Sequence, residues 1–177
     1  MILGKQIELR PIHVTDLALL RQWEHDPTID RWMATTANAI DARESYEQEF
    51  DRLLRTPRIK LLAIQNKGGM VIGFIRVNDL DLAARKATVR LLIASEMQGQ
   101  GYGTDALHTL AGFCFRELGL HRIGLVVRED NTRALSLYKR LGFKVEGCER
   151  ETVWTEGHWI NFLHMGLLAS EWHEELE

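Results

Sequence analysis

Cysteine is scarce in this 177-residue chain: the two present, Cys114 and Cys148, are too few and too isolated for a disulfide framework or a zinc site. Proline is scarcer than usual, at three residues, and no Gly/Ser/Pro-rich stretch marks a linker or a low-complexity segment. Long hydrophobic runs are missing as well. The longest are strand-sized, which excludes a transmembrane helix, and Lys5 and Glu8 interrupt any apolar leader at the N-terminus. There is no excess of one charge, since 22 basic and 25 acidic residues leave −3, without the basic stripe of a nucleic-acid binder. His, Cys and carboxylates never gather at metal-ligand spacing. What is there, 45% hydrophobic and 27% charged residues, is the mixture of an ordinary soluble protein. The expectation is one domain over residues 1–177, cytoplasmic, without metal, nucleic acid or membrane as partner.

Periodicity divides the chain into short alternating elements. Gln6 to Arg10 alternates as a strand, and Leu17, Leu20 and Trp23 share a helix face from about Asp16 to Glu24, which Asp26-Pro27 ends. Thr28 to Ile40 reads as irregular, and a second helix is expected from Asp41 to Leu54. Ile59 to Gln65 and Met70 to Val77 read as strands joined through Asn66-Lys67-Gly68-Gly69, followed by a strand from Ala84 to Ala94. An amphipathic helix pattern runs from Tyr102 to Leu118, with Gly119 at its C-terminal end. Ile123 to Val127 is wholly apolar, as in a sheet covered on both faces. Asn131 is placed to cap a helix that Gly142 terminates. Lys144 to Trp154 and His158 to Leu167 form a closing hairpin around Glu156-Gly157.

The run Gln98-Gly99-Gln100-Gly101-Tyr102-Gly103-Thr104 carries the most information. It stands between an apolar strand and an amphipathic helix. Alternating glycines allow positive φ and close approach of backbone to a ligand, and a helix N-terminus favours an anion. The bend is therefore a candidate cradle for a pyrophosphate, or else a tight strand-to-helix turn. It is not a P-loop, because Thr104 stands where the second glycine would fall, and the same residue breaks G-x-G-x-x-G.

The remaining pattern, Q-x-x-G-x-G, resembles the acyl-CoA-binding loop of the GNAT superfamily of N-acetyltransferases. A second stretch, Asn131-Thr-Arg-Ala-Leu-Ser-Leu-Tyr138-Lys-Arg-Leu-Gly-Phe143, resembles the family signature N-x-x-A-x-x-L-Y-x-K/R-x-G-F. The similarity runs from about Gln6 to Leu168. Leu9-Arg10-Pro11, Asp26-Pro27 before Arg31-Trp32, and the closing hairpin point to the branch of ribosomal-protein N-terminal and spermidine N-acetyltransferases. The resemblance implies an α/β fold with a mixed central sheet, splayed between its fourth and fifth strands and flanked by about four helices. It implies acetyl-CoA as co-substrate, direct attack by a primary amine of a protein N-terminus or small molecule, and a homodimer by family habit.

By the same resemblance, the backbone of Gln98, Gly99, Gln100, Gly101, Tyr102, Gly103 and Thr104 holds the diphosphate. The strand at Leu91, Leu92 and Ile93 pairs with the pantetheine arm, and Asn131, Ala134 and Tyr138 also touch the cofactor. Tyr138 is the expected general acid for the departing thiolate, although Ala134, Leu137, Tyr138 and Leu141 share a face on which a tyrosine can simply be core. Lys139 and Arg140 are candidates to reach a phosphate. Some relatives place a glutamate base on the central strand; the matching position here is Thr88, which cannot act as one. Glu24, Asp26, His13 and His158 are individually weak substitutes, and no base is assigned. Arg90 interrupts the apolar strand and must either meet an acid or face the acceptor, where it would favour a substrate bearing a carboxylate or phosphate. Trp32 has the best case among the tryptophans for bordering the acceptor. The stretch Trp32 to Ala39 carries no acid, unlike the acidic segment of polyamine acetylators. A polyamine acetyltransferase, a non-catalytic acyl-CoA sensor and an ATP-binding domain stay open as alternatives.

Overall fold

The computed structural model describes residues 1–24, 26–33, 48, 51 and 55–175. The expected helix from Asp41 to Leu54 lies outside the described residues but for positions 48 and 51.

Eight strands form a single sheet in the order β1-β2-β3-β4-β5-β6-β8-β7. Beyond the seven expected strands there is a short one at the N-terminus, β1 (Ile2–Leu3), which pairs with β2 (Ile7–Pro11). Next come β3 (Lys60–Asn66) and β4 (Val71–Asp81), joined by the anticipated turn, in which Gly69 has φ +84°. β5 (Lys86–Ile93) pairs antiparallel with β4 and parallel with β6 (Arg122–Arg128). The chain closes with β7 (Lys144–Thr155) and β8 (His158–Leu168). Their turn puts both Glu156 (φ +50°) and Gly157 (φ +82°) in the left-handed region, the geometry that suits the right-handed twist of a two-residue hairpin. β8 lies between β6 and β7, so the last strand in sequence is interior and β7 forms the edge.

Among the helices described from end to end, two lie on each face. A 3-10 turn at Val14–Asp16 leads into α1 (Leu17–Glu24), as the apolar spacing requires. The segment after Asp26 corrects the expectation of irregular chain: Pro27–Met33 is helical (α2). The Asp26 carboxylate accepts the Thr28 N–H at 2.8 Å, and proline is pre-set for the first helical position. The same two residues therefore end one helix and begin the next. α1 and α2 cover a small cluster of Leu20, Trp23, Ile29, Phe74 and Leu92. On the other face, α3 (Tyr102–Gly112) and α4 (Thr132–Arg140) pack on the larger core. α3 carries Leu107, Leu110 and Ala111 into that core, then loosens into a π-helical turn at Phe113–Glu117 rather than staying α-helical to Leu118. β6 is not buried on both faces, as its composition had suggested. Ile123, Leu125 and Val127 are buried, whereas Val126 is 49% exposed.

Asp105, in the first turn of α3, fastens the N-terminal strand to this layer. Its buried carboxylate accepts the backbone N–H groups of Lys5, Gln6 and Ile7 at 3.0, 2.6 and 3.2 Å. Removing the acceptor strands three amides at once, each costing about 1 kcal/mol or more. Asp105→Ala is expected to lower unfolding free energy by about 3 kcal/mol, and Asp105→Asn by less, since one oxygen remains. Urea denaturation monitored by tryptophan fluorescence measures both.

Candidate active site

β5 and β6 pair only at Lys86, Ala87 and Thr88 with Arg122, Ile123 and Gly124. Beyond Thr88 the strands part, and the β6-facing backbone edge of β5 is left without a ladder partner. β6 stays paired with β8 along its whole length. The wedge between them opens into a cleft of about 1250 Å³. Leu91, Leu92 and Ile93 line it from β5, and Val126 and Arg128 from β6.

The glycine bend closes the wide end. Gly99 and Gly101 have φ of +81° and +88°, and Gly101 caps α3, so their conformations are ones that side chains resist. Gln98 pins the bend from both sides. Its Nε2 donates to the Ile93 carbonyl at 2.9 Å, and its Oε1 accepts from Arg133 of α4 at 2.6 Å. Gln98, Gly99, Gly101, Gly103 and Thr104 line the cleft, while Gln100 and Tyr102 do not. Gln100 instead donates to the Glu96 carbonyl, and Tyr102 packs on the core. The open strand edge and the helix N-terminus behind left-handed glycines suit an extended, amide-bearing arm ending in a diphosphate.

α4 supplies the far wall. Asn131 caps it as expected, its Oδ1 accepting the Ala134 N–H at 3.1 Å. Asn131, Ala134, Tyr138 and Arg140 all line the cleft, and Lys139 does not. The Tyr138 ring packs against Phe143, with centroids 5.9 Å apart, so it is both core and cleft wall. Burial pushes its phenol up to about 12, keeping it protonated across the physiological range. Cys114 is buried in the core, its thiol pushed up to about 12 by the same desolvation, and does not line the cleft.

The Arg90 side of the cleft contains residues that sequence reasoning missed. Arg90, half of an open question, does face the cleft and meets no acid among the described residues. Beside it stands Arg76, directly opposite on β4. Thr88 donates to Asp79 Oδ2 at 3.0 Å, and Asp79 sits at a β-bulge with φ +50°. Across the cleft, His164 on β8 flanks Val126, and its Nε2 is 3.3 Å from Glu149 Oε2 on β7. All four of Arg76, Asp79, His164 and Glu149 line the cavity. Of the bases considered earlier, Asp26, His13 and His158 do not line it, and the side chain of Glu24 lies outside the described residues.

Trp32 also lines the cleft, at 37% exposure. The nearly buried Arg128 guanidinium lies 5.5 Å from its ring centre, while donating to the Arg31 carbonyl at 2.9 Å and to both Asp130 oxygens at 2.9 and 2.7 Å. Arg31 stacks on the other contact of the ring at 5.0 Å and pairs with Glu156 of the last hairpin. The other tryptophans serve elsewhere. Trp23 packs on Phe74, Trp172 on Phe115 and His108, and Trp154 and Trp159 form an exposed edge-on pair.

A sheet split beside a glycine bend, with Tyr138 of α4 in the same cleft, is the arrangement expected of an acyl-CoA-dependent transferase. The chain belongs to the GNAT acetyltransferase family: residues 6–144 match the model described as Acetyltransferase (GNAT) domain. It is similar to the spermidine N(1)-acetyltransferase of Escherichia coli K12, at 22% identity over 96% of this chain and 89% of that one. It is 32% identical to the putative ribosomal N-acetyltransferase YdaF of Bacillus subtilis over 60% of this chain and 58% of that one. In fold it is similar to the spermidine N-acetyltransferase of Vibrio cholerae solved with CoA and spermine. The TM-score is 0.84 at 22% identity, covering 95% of this chain and 98% of that one.

Two outcomes test the geometry. Gly101→Val forces a β-branched residue to φ +88° and is expected to weaken acetyl-CoA binding about five- to thirtyfold, since about 1–2 kcal/mol of strain falls on the cradle. Titration calorimetry reads the affinity, and far-UV circular dichroism shows whether the fold is kept. The second concerns Asp130, whose carboxyl is held below the usual carboxylate range chiefly by the Arg128 hydrogen bond. A depressed folded value gives stability that is in force above about pH 3.9, the unfolded value, and is lost as pH falls through the folded one. Asp130→Asn should therefore lower stability at pH 7 and remove part of the acid sensitivity below pH 4, measured by thermal melts across pH.

Proposed function

We propose that this acetyltransferase binds acetyl-CoA along the open edge of β5, diphosphate against residues 98–104, and passes the acetyl group directly to a primary amine entering from the Arg90 face. The observation that carries this is the parting of β5 and β6 beside the glycine bend, with Tyr138 lining the same cleft. Acetyl-CoA supplies the activated acyl group, and the rest is positioning and proton handling by the chain.

The amine nitrogen bonds to the carbonyl carbon as the carbon–sulfur bond breaks. Backbone N–H groups on the open β5 edge near Leu92 face the developing negative charge on the carbonyl oxygen, a contribution worth a few kcal/mol in comparable sites. Tyr138 gives its proton to the departing sulfur. A phenol near 12 is a weaker acid than a solvated thiol near 8.5, so the transfer works only while the thiolate forms in the same dry wedge, which raises the sulfur's basicity too. His164, backed by Glu149, takes the proton from the amine. It is the cleft-lining imidazole, and a paired carboxylate stabilises the cation that forms.

Tyr138→Phe is expected to lower kcat by about 10²-fold or more while acetyl-CoA affinity stays within about twofold. In the parent protein, kcat should not fall as pH rises through 10, because Tyr138 stays protonated up to about 12. His164→Gln should lower kcat/KM by about 10²-fold. Thiol release from acetyl-CoA, followed with a chromogenic disulfide, measures all three. A protein that binds acetyl-CoA yet releases no thiol with any amine is the sensor instead.

A further inference from the structure

Two guanidinium groups stand side by side on the acceptor wall. Arg76 and Arg90 are directly opposed in the β4–β5 ladder, so their side chains leave the same face of the sheet, and both line the cleft. Like charges directly opposite one another repel, which weakens a sheet unless something negative lies between them. Arg76 is engaged by other groups, whereas Arg90 forms no hydrogen bond or ion pair among the described residues.

Of the described carboxylates that line the cleft, Asp130 is held by both arms of Arg128, Glu149 faces His164, and Asp79 accepts from the Thr88 hydroxyl. None of them bonds Arg90. The next same-face pair in that ladder is the polar Asn78 and Thr88, and Trp32, Val126 and Phe162 add apolar surface to the cleft, suited to the carbon body of a small acceptor.

Resting on the acetyltransferase reading above, we propose that the acceptor is an amine that carries a carboxylate or phosphate group, bound by Arg90 with Arg76 beside it. Planar guanidinium forks match both anions in a bidentate manner. The same pair turns polyamines away, because each further ammonium of such a chain would approach an unneutralised cation. The likeness to spermidine acetyltransferases is a likeness of fold, while the acceptor is read by side chains on the cleft wall.

Matched acceptors test this with the purified protein: glutamate against glutamine, glycine against glycinamide, phosphoethanolamine against ethanolamine, and spermidine. Thiol release is the readout, with acetyl-CoA affinity measured in parallel by calorimetry. Within at least one pair, the more anionic member is expected to have a kcat/KM at least about tenfold higher, expressed mainly in KM, with spermidine the poorest acceptor. The first two pairs report a carboxylate and the third a phosphate. Arg90→Glu should erase that preference and raise spermidine relative to it, while Arg90→Lys, which keeps the charge without the fork, should retain part of it.

Spermidine or the less anionic amines used as well as the anionic ones by the parent protein would overturn the proposal, as would an unchanged preference in Arg90→Glu. In those cases the acetyltransferase reading survives, since thiol is still released. Failure to bind acetyl-CoA, or release with no amine, overturns both together.

Discussion

Everything that this protein can do depends on one broken ladder. For three residues β5 and β6 hold each other in parallel register, and after Thr88 and Gly124 they let go. A strand edge with unpaired N–H and C=O groups inside a protein is an unstable arrangement unless water or a ligand satisfies it. Here the edge ends at a bend whose left-handed glycines line the same cleft, and a helix begins immediately beyond. The three features together suit the wedge to something long, amide-bearing and terminally anionic.

The same cleft is lined by side chains from the other face of the sheet. Because side chains alternate across a strand, the face opposite the α3 and α4 layer presents Thr88 and Arg90 from β5, Val126 and Arg128 from β6, and Phe162 and His164 from β8. β8 reaches this face only because it inserts between β6 and β7. Arg128 sits at the centre of the polar work here. A nearly buried guanidinium is tolerable only when its donors are used, and it uses them on Asp130 and the Arg31 carbonyl while its face steadies Trp32. The acceptor wall is therefore tied to α2 and, through Arg31 and Glu156, to the last hairpin.

Much of the fold and cofactor side was legible in the sequence, because its signals are local. Glycine spacing, an asparagine at a helix start and a glycine after a helix end each act within a few residues of themselves. The structure accordingly has Gly101, Asn131, Gly119 and Gly142 in those roles. That Tyr138 would line the cleft was legible through its motif neighbours rather than its own chemistry. α2 was not, because Asp26-Pro27 serves equally well to stop a helix or to start one. The acceptor wall was mostly hidden. Arg90 stood out as a cation in an apolar strand, and Arg76 interrupts Val71-Ile-Gly-Phe-Ile-Arg76-Val77 in the same way, but nothing local set the two opposite each other. Counting outward from the Asp81–Lys86 pair would set Val77 opposite Arg90; the bulge at Asp79 moves the ladder by one residue and puts Arg76 there.

By itself the sequence determined seven of the strands, their order and the left-handed glycine bend before α3, since each rests on backbone conformations that neighbouring residues dictate. Tertiary structure decided which charges meet. Whether Arg90 found an acid, which imidazole came to the cleft, and what backed it depended on register across strands distant in the chain. A bulge or an inserted strand changes that register by a whole residue, and with it the face on which every side chain lands.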